Sequence, residues 1–77
     1  MTQEEWRKRF SEQLVNNMKK RGLNQSHLAE RSGLSVSRIS DYVNMRATPS
    51  VHAVINIAYA LDTSIRELVD FDKRICT

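Results

Sequence analysis

The stretch "QSHLAERSGLSVSRISDYVN" at positions 25–44 contains two short helical patterns separated by one glycine. In the first pattern, Leu28 and Ala29 form the apolar side. In the second, Ile39, Tyr42 and Val43 recur at helical spacing. Gly33 stands between them, where a stopping helix commonly needs a left-handed residue, and Leu34 anchors the turn. Asn24 and Ser35 precede the two patterns, and both are residue types whose short side chains cap a helix start. The spacing therefore predicts helices over 25–32 and 36–43. The second is oddly dressed: Val36, Ser37, Arg38, Ser40 and Asp41 fall away from its apolar side.

The rest of the chain is helical by the same criteria. Thr2 and Glu5 read as a capping box. Trp6, Phe10, Leu14 and Met18 then recur every four residues with Val15 beside them, and Gly22 ends this first helix. A fourth helix starts after Pro49 and Ser50, with Val51, Val54, Ile55, Ala58 and Leu61 as its expected inward positions. Ser64 and Glu67 read as a second capping box, opening a short fifth helix with Ile65, Leu68 and Val69 inward. The two glycines and the single proline all fall at boundaries, and no segment shows the period-2, β-branched pattern of a strand. The expectation is an all-α chain of five helices.

With 77 residues there is room for one domain. The expected layout is a single domain over 1–77, with a core at 14–69, a first helix at 2–21 and a tail at 70–77. No apolar run approaches the roughly 18 residues of a membrane span, and "MTQEEWRKRF" lacks the apolar region of a secretory signal. Cys76 is the only cysteine, so no internal disulfide forms, and with His27 and His52 scattered on helix surfaces no metal site is expected. These features suit a cytoplasmic protein. There is no Gly-rich phosphate loop, no HExxH and no CxxC, so neither an enzyme nor a cofactor is expected. The balance of 12 Lys and Arg against 9 Asp and Glu permits phosphate binding without demanding it.

A helix, a glycine turn and a second helix roughly perpendicular to the first make a helix-turn-helix. The major groove of B-DNA is about 12 Å wide and admits one α-helix. The first helix crosses the DNA backbone and holds the second in the groove. Such a helix needs one apolar face for anchoring and one mixed face for base edges, which is the dress of residues 36–43. Val36 can pack on a thymine methyl. Ser37 can donate or accept. Arg38 can reach a guanine edge or a phosphate. Asp41 can accept from cytosine N4, although phosphates repel it.

Three blocks extend the pattern: "GLNQSHLAERSGLS", "SVSRISDYVN" and "TPSVHAVINIAYALDTSIREL". In this order and spacing the chain resembles the Cro/repressor, XRE-type helix-turn-helix family of phage and bacterial transcriptional regulators over about residues 14–69. The resemblance implies a compact, lambda-repressor-like five-helix domain that binds double-stranded DNA, usually as a homodimer on palindromic operators. It implies base-facing roles for Val36, Ser37, Arg38, Ser40 and Asp41. Phosphate contacts would come from Gln25, Asn44 and Arg46, with Lys19, Lys20 and Arg21 as outlying contacts. The run 19–21 has a local explanation as well, since cations suit the negative end of a helix.

The chain departs from the family pattern in places. An arginine near the end of the first helix commonly pairs with a glutamate before the asparagine equivalent to Asn44. Met18 and Val43 stand there, an apolar pair in place of an ion pair. The usual glycine after that asparagine is Met45, and another is Asp62, which leaves the turning to Asn44 and Asp62. The first helix starts about two turns early and adds Trp6 and Phe10, which either complete the core or meet a partner. The fifth helix and tail, with Leu68, Val69, Phe71 and Ile75, form the other candidate dimer or partner surface. An alternative function uses the same fold on a protein, such as a repressor or toxin. Asp41, Val36, Met45 and the modest net charge motivate it.

Overall fold

In the computed structural model, which describes residues 2–69, the elements are α1 (Gln3–Arg21), α2 (Gln25–Ser32), α3 (Val36–Val43), α4 (Val51–Ala60) and α5 (Ile65–Val69). No strand occurs among the described residues. The helix starts lie where local chemistry puts them. Thr2, Asn24, Ser35 and Ser50 each accept a hydrogen bond from the backbone N–H three residues on, at 3.2, 2.8, 3.1 and 3.1 Å. Each bond satisfies one of the donors that a first turn leaves without a helical partner. At α5 the expected Ser64–Glu67 box takes another form, because the Glu67 N–H donates to the Ser64 carbonyl at 3.1 Å.

Three helices end alike. After α1, Gly22 is left-handed (φ 64°), its N–H bonds Lys19 O, and the Leu23 N–H reaches Met18 O at 3.0 Å. After α4, Asp62 (φ 53°) takes the same place, with Thr63 N–H on Ala58 O at 3.0 Å. After α3 the residue is Met45 (φ 62°), and the Arg46 N–H reaches Asp41 O at 2.8 Å. This pair of bonds around a left-handed residue is the Schellman arrangement. Asp62 does the turning as expected, whereas the expectation for Asn44 fails: its φ is −94° and the turn falls one residue later. The hydrogen-bond pattern fixes which residue must be left-handed, and α3 runs through Val43, so the burden passes to Met45.

The core joins all five helices. Phe10 and Leu14 of α1, Leu28 of α2, Ile39 and Tyr42 of α3, Ile57 of α4, Leu61 just after it and Leu68 of α5 are all essentially inaccessible to solvent. The ring of Phe10 lies 6.1 Å from Tyr42, edge to face, and 5.6 Å from Trp6. The early turns of α1 therefore complete the core and touch α3. α4 differs from expectation. Val54, Ala58 and Leu61 are buried as expected and Ile57 joins them, but Val51 and Ile55 face outward, Val51 at 77% exposure. Apolar residues surround most of this helix, so periodicity alone could not select the inner stripe. Ile65 of α5 is likewise exposed.

Polar bonds across the chain fix the helices further. The Ser11 hydroxyl of α1 donates to the Val43 carbonyl at 2.6 Å. Arg7 Nε donates to Thr48 Oγ1 at 2.7 Å, fastening the start of α1 to the loop before α4. Asn17, buried in α1, donates to Gln13 O at 2.8 Å and accepts from Arg21 at 3.2 Å.

Candidate nucleic-acid interface

The first turn of α3 presents Val36, Ser37 and Arg38 to solvent. Ser35 caps this turn, and Ile39 and Tyr42 root the opposite face in the core. The side chains of Ser37 and Arg38 have no hydrogen-bond partner among the described residues. An open turn on an anchored helix can offer its side chains to a ligand without dismantling any internal contact. Val36, 47% exposed, adds an apolar patch beside Arg38.

The second half of α3 is organised differently. The Asn44 amide donates to Ser40 O at 2.9 Å and to Ser40 Oγ at 3.2 Å. Arg46 Nε lies 3.3 Å from Asp41 Oδ1, and its Nη2 lies 3.4 Å from Ser40 Oγ. Ser40, Asp41, Asn44 and Arg46, expected to act separately on bases or phosphates, thus form one network. It is solvated: the Arg46 and Asp41 side chains are 62% and 43% exposed, so the pair contributes at most about 1 kcal/mol to stability. Sequence reasoning missed this connection because it depends on the left-handed Met45 turning the chain back over α3.

Gln25 opens α2 with no hydrogen bond to its side chain among the described residues. Lys19 and Lys20 are exposed in the last turn of α1, and Arg21 is tethered to Asn17. Of the expected dimer or partner contacts, Phe10 and Leu68 are fully buried and neither side chain is available to a partner. They fill the core because each lies on the inner stripe of its helix. Phe71 and Ile75 lie outside the described residues. Trp6 and Val69 border an apolar groove of about 340 Å³ together with Pro49, Val51, Val54, Ile55 and Ile65. Among the described residues no group of acidic, histidine or cysteine side chains is placed to hold a metal, and no helix is long and apolar enough to cross a membrane.

A helix-turn-helix family model matches residues 16–68. No curated protein sequence matches. Among solved structures, the restriction-modification controller protein C.AhdI from Aeromonas hydrophila is similar, with 32% sequence identity and a TM-score of 0.75. The likeness covers 78% of this chain and 91% of that one. Five helices in this order, α2 and α3 joined through a left-handed glycine, and a match over most of the length lead to one conclusion: the chain belongs to the XRE-type helix-turn-helix family of DNA-binding transcription regulators.

Proposed function

We propose that this regulator is a sequence-specific repressor that inserts α3 into the major groove of a palindromic operator and binds it as a homodimer. The observation that carries the reading is the anchored, open first turn of α3, with Val36, Ser37 and Arg38 exposed and, among the described residues, no competing partner for the two polar side chains. Residues near the start of a recognition helix are the ones that reach base edges. Gln25, Asn44, Arg46 and the cations at 19–21 then meet phosphates, which set register but not sequence. C.AhdI is a restriction-modification controller protein, and control of such a system is one setting that suits a repressor of this kind. Two-fold pairing places two recognition helices about 34 Å apart, one turn of duplex. The apolar groove edged by Trp6, Val51, Ile55, Ile65 and Val69 supports self-association on that side of the domain.

Selection from random duplexes, followed by binding at several salt concentrations, tests the reading. The expected result is one palindrome, bound by two chains, with affinity falling steeply as salt rises because phosphate contacts release counterions. The second reading, a modulator docking on another protein, draws on the exposed apolar side chains of Val36 and Met45 on this same face. Weak binding to every duplex, together with a protein complex abolished by Val36→Asp, favours that second reading.

A further inference from the structure

We infer that Asp41 and Ser40 are positioning residues for Arg46, and that base reading by α3 is confined to its first turn. The inference rests on the DNA-binding reading above and assigns labour within that site. Three contacts hold Arg46 to α3: its backbone N–H on Asp41 O at 2.8 Å, Nε on Asp41 Oδ1 at 3.3 Å, and Nη2 on Ser40 Oγ at 3.4 Å. The Asn44 amide also occupies that Ser40 hydroxyl. The Ser40 hydroxyl and one carboxylate oxygen of Asp41 are thus already engaged with the loop that follows the second turn. The Arg46 side chain nevertheless stays mostly exposed, so the donors it does not spend on α3 remain accessible to an anion. Asp41 gains a partner that offsets its charge, which explains how a carboxylate is tolerated on a face meant for phosphates. Its role is to aim a cation, not to accept from a base.

A double-mutant cycle on the selected operator, and on duplexes changed at each base pair, tests the assignment. In the Arg46→Ala background, Asp41→Ala should raise affinity for every duplex roughly two- to fivefold, because an unpaired negative charge is removed. With Arg46 present, the same change should give no gain, or a loss of up to about fivefold, because the cation loses its aim. Base preference should be unchanged in both backgrounds, and Ser40→Ala, which removes no charge, should be neutral in the Arg46→Ala background and give a small loss with Arg46 present. Thermal melts of each variant confirm folding. Equal gains in both backgrounds overturn the inference and leave Asp41 a bystander. Relaxed preference at one base pair in both backgrounds also overturns it and makes Asp41 a reader. A wild-type chain that shifts no duplex at low salt ends the DNA-binding reading itself, and the inference with it.

Discussion

The Ser11 hydroxyl donates to the Val43 carbonyl at 2.6 Å, so the middle of α1 caps the last residue of the recognition helix. Ser11 is 7% exposed, so water cannot easily replace it. Val43 is only half-buried, so Ser11→Ala should cost about 1 kcal/mol, the usual net worth of one hydrogen bond. Urea unfolding measures this. A change within a few tenths of a kcal/mol would show that Val43 finds another donor.

Met45 occupies a left-handed position, which costs a residue with a Cβ roughly 1–2 kcal/mol. Glycine removes that strain but adds about 0.5–1 kcal/mol of unfolded-state entropy. Met45→Gly should thus stabilise the fold by up to about 1.5 kcal/mol. Met45→Val should destabilise it, because β-branched side chains fit the left-handed region worst. Melting curves for both variants decide the sign.

Met18 is buried and Val43 packs half-buried against the core, at the two positions where the family resemblance implies an ion pair. Val43→Glu alone should destabilise by about 2 kcal/mol or more, since its charge enters a partly desolvated site with no partner. Adding Met18→Arg should recover part of the loss if the two positions face each other. A double variant no more stable than its worse single would show that they do not.

Arg38→Ala should lose about 1–3 kcal/mol of binding and relax preference at one base pair if Arg38 reaches a base. If it touches only phosphate, the loss should be similar for all sequences and the salt slope should fall by about one. Gln25→Ala should weaken binding while leaving preference nearly intact, because backbone contacts position without specifying. Titrations against the operator and its single-site variants separate these outcomes.

Ile55→Asp should block self-association, since it puts a charge into the apolar groove beside Val51 and Ile65. It should leave the helical content unchanged because Ile55 is 42% exposed. Sedimentation with and without operator is the measurement. An unaltered dimer would move the interface elsewhere.

What the sequence discloses, it discloses through local chemistry. Asn24, Ser35 and Ser50 cap helices where their side chains predict, and Gly22 and Gly33 end them, because a cap involves residues only three or four apart. α2 and α3 accordingly have the expected bounds. α4 is harder to orient, because Val51 and Ile55 are as apolar as the buried Val54 and Ile57 beside them. The Ser11–Val43 and Arg7–Thr48 bonds join residues 32 and 41 positions apart, and no periodicity encodes them. The network around Arg46 is hidden for a related reason: it follows from a turn at Met45, a residue type seldom chosen for such a turn.

The bond from Arg7 to Thr48 bears on timing. With α3 and Met45 at one end and Arg7 at the other, the segment carrying Arg46 is tethered on both sides. Its conformational freedom is lost when the domain folds, not when a duplex arrives, so less ordering opposes association. Releasing Thr48 would shift that entropy loss to the encounter. The extra turns of α1, far from α3 in sequence, would then govern how readily a complex forms.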